Sequence, residues 1–336
     1  MCRGVAAILV ILYHVSRHID FAYEAPLLKS VLQFGHAGVD LFFVISGFII
    51  LYVHYDDVGN PKQLARYIRR RLTRIFPTYW VALALTIAMM FHHGVFTAAD
   101  LFWSAFLLPS DRPVILGIAW TLRFEILFYA MICVTILHRG AGFALLAGWF
   151  AVSGFCAVSG TKIGFLPDQF QSAFVIEFLF GMVAAFLAKE QLVHSPRVIL
   201  AVGMSLFACS ALLEITGGLN GFGSLARIAY GISSGFLILG LAGLAQARAS
   251  SAPDFLRSLG AASYSLYIFQ FVFIGGAWQL LLKSGAATMI TPFEQFLILS
   301  GVAIVGGVMT SKVVEQPLIR FCRMRVSAAA ANQLPS

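Results

Sequence analysis

The stretch Arg3-Gly4-Val5-Ala6-Ala7-Ile8-Leu9-Val10-Ile11-Leu12-Tyr13-His14 decides the fold class. Two ionisable residues frame an unbroken apolar run. From position 3 to position 14 an α-helix makes about three turns, rises roughly 16 Å and returns to nearly the same azimuth. One helix face therefore carries a permanent cation at one end and an imidazole deep inside. If the helix crosses a bilayer, both groups must face protein or water. The His14-Val15-Ser16-Arg17-His18 segment that follows is a poor small-residue cleavage site, so the run reads as a retained helix rather than a signal peptide.

The rest of the chain has the same character. Its 336 residues are 60% hydrophobic and 11% charged, with a mean hydropathy of +0.87. Soluble domains carry about a quarter charged residues, so the composition excludes a water-soluble fold and points to a polytopic membrane protein. The apolar runs are long rather than alternating, which excludes a β-barrel. The expectation is an all-α membrane bundle of about ten helices, near 4–19, 36–54, 76–92, 119–138, 142–159, 170–188, 197–216, 224–245, 259–282 and 293–315. They form one domain over 1–326, and 327–336 is an Ala-rich disordered tail. A short interfacial helix is expected at 97–108. The five cysteines show no metal-ligand spacing, so neither a disulfide framework nor a metal site is expected.

Charge sets the orientation. With the N-terminus inside, the inner loops collect Arg3, Lys62, Arg66, Arg69, Arg70, Arg71, Arg74, Arg139, Lys189, Arg197, Arg248, Arg257, Lys312, Arg320, Arg323 and Arg325, which is 16 of the 23 Lys and Arg. Both termini are then cytoplasmic, and the net charge of +8 reflects loops beside membrane spans rather than a nucleic-acid site.

Several residues within or beside the spans are candidates for chemistry. Asp40 opens the second helix, after His36, and Ser46-Gly47 offers a notch for close helix approach. The plain alternative is a packing notch around a hydrogen-bonded Asp. Arg66, Arg70 and Arg74 form one ridge if helical, and Arg69, Arg70, Arg71 and Arg74 suit a polyphosphate. The plain alternative is an anchor on anionic lipid. Pro77 suits the first turn of the next helix. Glu125, on a face with Thr121 and Phe128 below Trp120, is an intramembrane carboxylate whose plain alternative is an ion pair with Arg123 or another cation. Tyr264, Gln270 and the Glu315-Gln316-Pro317 helix end add polar groups late in the chain.

Taken in order, the pieces Arg3…His14, Gly38-Val39-Asp40…Phe42-Phe43…Ser46-Gly47, Arg70-Arg71-x-x-Arg74, Trp120-x-x-x-x-Glu125-x-x-Phe128-Tyr129, Ser263-Tyr264-x-x-Tyr267 and Glu315-x-Pro317 resemble the acyltransferase-3 family of integral membrane acyltransferases, in its exopolysaccharide O-acetyltransferase branch. The resemblance spans nearly the whole chain. It departs at Gln270, where the family often has His, and in having only Met1 and Cys2 before Arg3.

The resemblance implies an acyl-CoA donor, acetyl-CoA first, with its phosphates on Arg69, Arg70, Arg71 and Arg74. It implies a saccharide or lipid-linked saccharide acceptor, no metal and a cell-membrane location. His14 would act as general base or as acyl carrier, with Glu125 or Asp40 raising its basicity and Arg3 holding the donor or fixing the first helix. His36, Ser46, Trp120, Tyr264 and Gln270 are the expected substrate contacts. Two other classes fit the composition: a flippase for a lipid-linked saccharide, which would move substrate without CoA turnover, and a non-catalytic scaffold, which would tolerate single changes at Arg3, His14 and Glu125.

Overall fold

Why the apolar runs become helices is settled by the bilayer, where backbone groups have no water to bond and must satisfy one another within a segment. The computed structural model describes residues 1–90, 96–247 and 253–322. In chain order its helices are α1 (Cys2–Tyr23), α2 (Pro26–Leu32), α3 (Gly38–His54), α4 (Leu64–Met90), α5 (Ala98–Phe106), α6 (Trp120–Leu137), α7 (Arg139–Ser159), α8 (Asp168–Gln171), α9 (Phe174–Lys189), α10 (Pro196–Ile215), α11 (Ser224–Ala247), α12 (Asp254–Lys283) and α13 (Pro292–Thr310). No strand occurs among the described residues. Nine helical stretches there are long and apolar enough to cross a membrane. The segment α9 is shorter, at 16 residues, yet it is apolar and sits inside the bundle against α3 and α11. The expected bundle of about ten helices is thus the observed fold. Arg248, Arg323, Arg325 and the expected tail at 327–336 lie outside the described residues.

Local signals explain the ends. Proline opens α2, α10 and α13 at a position where no N–H is needed. Reciprocal side-chain and backbone bonds between Thr97 and Asp100 start α5, and between Thr291 and Glu294 start α13. A short helix, α5, does form within the stretch 97–108, tied to α4 by Tyr79 Oη donating to the Ser104 carbonyl at 2.6 Å.

One boundary differs from the sequence expectation. Pro77 lies inside α4 rather than in its first turn, and the helix begins twelve residues earlier, at Leu64. The arginine run is a good helix former, and the helix carries through Pro77 despite the bond lost at its missing N–H and the crowding of its ring against the carbonyl one turn back. The cationic loop is therefore the first half of a membrane helix, and its arginines are fixed relative to the bundle.

Packing centres on α1, α3, α6, α9 and α12. The α3–α9 crossing is a backbone contact: a Cβ at Gly47 would strike the Phe178 carbonyl, and one at Gly181 would strike that of Val44. Large apolar side chains such as Phe155, Val158, Leu212 and Val313 stay exposed, as a surface solvated by lipid requires. A wide turn with i→i+5 bonding, Ser311–Glu315, interrupts the last helical span, which continues to Cys322.

Candidate active site

The site is built along α12, whose residues line three cavities in succession. Gly260 and Ala261 line a vestibule of about 610 Å³ together with Arg70, Arg71, Arg74 and Glu315. Ser263, Tyr264 and Tyr267 line a cavity of about 30 Å³, the size of one water molecule. Tyr267 and Phe271 line a chamber of about 470 Å³ that contains His14 and His36. The first helix runs beside them, with Arg3 on the small cavity and His14 on the chamber.

At the vestibule the arginine ridge is preformed. Arg71 donates to His54 Nε2 at 2.8 Å, and His54 Nδ1 bonds Asp57 at 2.7 Å. The Arg71 guanidinium also lies over the rings of Tyr67 and Tyr129, 5.6 Å from each centroid. Among the described residues Arg66, Arg69, Arg70 and Arg74 form no ion pair. Arg69 is exposed and does not line the vestibule, so of the four expected phosphate contacts the structure gathers Arg70, Arg71 and Arg74. Opposite them the buried Glu315 accepts from Ser265 Oγ at 2.6 Å. The sequence reading took it for a helix-end device, whereas here it faces the cavity.

The small cavity is a polar node inside the bundle. Arg3 pairs with Glu125 at 3.9 Å, and Glu125 Oε1 also accepts from Ser46 Oγ at 3.2 Å and from the Tyr129 hydroxyl. Arg71 and Arg74 are charge neighbours of Arg3, so the vestibule and the node share one positive field. Tyr264 donates to the Ile75 carbonyl at 3.0 Å, and Tyr267 shares a hydrogen bond with Thr121 at 2.8 Å. The intramembrane carboxylate of α6 is paired, and its partner is Arg3 rather than its sequence neighbour Arg123.

In the chamber, the His14 ring is fixed by an amide. Gln270 Nε2 donates to the Tyr267 carbonyl at 2.8 Å, which turns Gln270 Oε1 toward His14 Nδ1, 3.0 Å away. An amide oxygen only accepts, so Nδ1 carries the proton and Nε2 keeps a free lone pair. Phe271 and Tyr13 hold the ring edge-on. The side-chain hydrogen bond of His14 goes to Gln270, not to Glu125 or Asp40, the carboxylates expected to raise its basicity. Both carboxylates are taken by arginines, and the neutral Gln270 has the orienting role.

Asp40 belongs to a separate network beside the chamber. Arg227 of α11 pairs with it at 2.5 Å, and also donates to the Gly221 carbonyl and to His36 Nδ1, the latter at 3.1 Å. Because His36 Nδ1 accepts, its Nε2–H donates to Glu214 at 2.9 Å; Tyr230 donates to the other Glu214 oxygen at 2.7 Å. Glu177 of α9 approaches the same Asp40 and is fully buried. The sequence reading missed Arg227, Glu177 and Glu214 as a group. Each is a lone charge in an apolar run, the same signal that singled out Asp40 and Glu125. Trp120 lines the chamber wall. Among the described residues no three His, Cys, Asp or Glu side chains gather as a metal site requires.

The acyltransferase-3 family model, described as an acyltransferase domain, matches residues 1–312, and the chain belongs to that family. It is 30% identical over 318 residues to the exopolysaccharide production protein ExoZ of Rhizobium meliloti (strain 1021), covering 89% of this chain and 94% of that protein. No solved structure matches.

Proposed function

We propose that this chain transfers an acyl group, acetyl in the first instance, from acyl-CoA to a sugar hydroxyl of an exopolysaccharide or its lipid-linked precursor. The observation that carries the reading is the free Nε2 of His14 in a chamber that shares Val39 and Tyr267 with the small cavity, which lies along α12 between that chamber and a vestibule of three arginines. The similarity to a protein named for exopolysaccharide production supports the acceptor class.

The arginine-rich end faces the cytoplasm of a cell-membrane protein whose termini are both inside. Arg70, Arg71 and Arg74 bind the phosphates of the donor. The slender acyl-bearing arm passes the Arg3–Glu125 node, where the 30 Å³ cavity must widen. His14 Nε2 takes the proton of the acceptor hydroxyl as its oxygen attacks the thioester carbonyl; the C–S bond breaks, and the departing thiolate leaves as CoA thiol after taking a proton. Gln270 holds Nδ1–H throughout and disperses the positive charge that grows on the ring.

The test is purified protein in detergent with labelled acetyl-CoA and a lipid-linked saccharide. His14→Ala is expected to cut transfer by about 10²–10⁴-fold with folding intact, and Gln270→Leu by a smaller factor. Full activity in His14→Ala overturns the mechanism. Label retained on the protein without acceptor, and lost in His14→Ala, would assign the imidazole as acyl carrier instead of base. Arg70→Ala and Arg74→Ala are expected to raise the acetyl-CoA KM several-fold, with the wild-type affinity falling as salt rises.

A further inference from the structure

At the end of the bundle away from the arginines, the segments before α6 and before α9 enclose a cleft of about 430 Å³. Gly117, Trp120 and Phe174 line both this cleft and the His14 chamber, so the two are neighbours across a shared wall. The cleft is held open by bonds between its two loops. Asp111 accepts from the Asp168 N–H at 2.8 Å, and Gln169 Oε1 accepts from the Ser110 N–H at 2.9 Å. Lys162 pairs with Asp168 at 2.8 Å.

One group in it is unfinished. Arg123 is only 2% exposed. Its Nη1 donates to the Ser110 carbonyl at 2.8 Å and to that of Arg112, while its Nε and Nη2 have no hydrogen-bond partner. Buried polar groups are nearly always paired, and an unpaired guanidinium is among the costliest exceptions. Asp111 is a charge neighbour of Arg123, but neither acidic residue bonds these nitrogens: Asp111 accepts from the Asp168 N–H, and the Asp168 carboxylate pairs with Lys162. The cleft thus offers buried N–H donors, a tryptophan that faces the chamber, and polar walls. An acyl chain would leave those donors unsatisfied. A sugar ring lays its C–H face on an indole and offers hydroxyl oxygens to a guanidinium.

We propose that this cleft is the acceptor site, taking a saccharide held by Arg123 and Trp120, with the reacting hydroxyl directed past Gly117 toward His14 from the side opposite the donor. The proposal rests on the acyl-transfer reading above.

The experiment uses the full chain in detergent and, as acceptor, oligosaccharides from the producing cells' own exopolysaccharide, freed of esters by mild alkali. Arg123→Gln is expected to raise the acceptor KM at least tenfold while leaving the acetyl-CoA KM unchanged. Because Arg123 also ties the 110–112 loop, Ser172→Trp serves as a second variant that narrows the cleft from its other wall, with the same split expected. An unchanged acceptor KM in both folded variants overturns the proposal. If the wild-type protein turns over no acetyl-CoA, the acyl-transfer reading falls by itself. Saccharide quenching of tryptophan fluorescence then decides the cleft: quenching lost in Arg123→Gln supports it, and no quenching of the wild-type protein overturns it.

Discussion

Two buried ion pairs stand within the same bundle, and they are built differently. Arg227 and Asp40 meet at 2.5 Å with side chains 5% and 0% exposed. Arg3 and Glu125 stand at 3.9 Å, at 15% and 11%. In the first, the guanidinium is also bonded to a backbone carbonyl and to His36, and it ties α11 to α3. In the second, Glu125 divides one oxygen among Ser46, Tyr129 and Arg3, and Arg3 Nε has no partner. A tight pair braces two helices, although Arg227 Nε and Asp40 Oδ1 find no hydrogen-bond partner. A splayed pair on a cavity wall keeps capacity for a ligand. Low dielectric makes both expensive to break; Arg3 and Glu125 both line the small cavity, whereas of the first pair only Arg227 reaches the wall of the His14 chamber.

The largest effect should come from the brace. Arg227→Met leaves Asp40 and Glu177 buried without a cation, and removing one partner of a buried pair costs about 3–5 kcal/mol. The expected outcome is loss of the monodisperse peak in detergent size-exclusion chromatography and a much lower melting temperature. A folded, stable Arg227→Met protein would erase the distinction between the pairs. Next in size, Glu125→Gln keeps the bonds from Ser46 and Tyr129 and removes only the counter-charge of Arg3. Folding should survive while transfer falls about ten- to a hundredfold, equivalent to about 1.4–2.7 kcal/mol of barrier; a loss of folding as severe as that of Arg227→Met would make the splayed pair a brace as well.

The smallest effect is expected at neither pair. Thr97 holds the Asp100 carboxyl below its ordinary carboxylate range by hydrogen bonds to the ionised form. A lowered folded-state value adds stability at neutral pH that is lost as acid protonates the group. Thr97→Ala should therefore speed amide exchange in α5 at pH 7, with the difference shrinking in acid, and leave transfer unchanged.

The helices were legible because lipid imposes one rule, a long apolar run, and that rule is local. Arg3, His14 and Glu125 were legible for the same reason, as charges where lipid tolerates none. What stayed hidden was pairing. Arg227 and Asp40 are 187 positions apart in the chain, and no spacing in the sequence announces that α11 crosses α3 at that height. Gln270 was visible as a polar residue, but its role depends on which way its amide turns, and the Tyr267 carbonyl sets that. The start of α4 was obscured because arginines read as loop, whereas here they wind into the span.

The wide turn at Ser311–Glu315 has a consequence for the evolution of the last helix. An i→i+5 turn amounts to one extra residue spliced into an α-helix, and it swings everything downstream by about 100°. Upstream the segment shows its flank to lipid; downstream that swing brings Glu315 round to Ser265 and the arginines. Excising a single residue between 311 and 314 would restore the ordinary winding and turn the carboxylate away, so one codon separates a plain outer helix from one that also closes the vestibule.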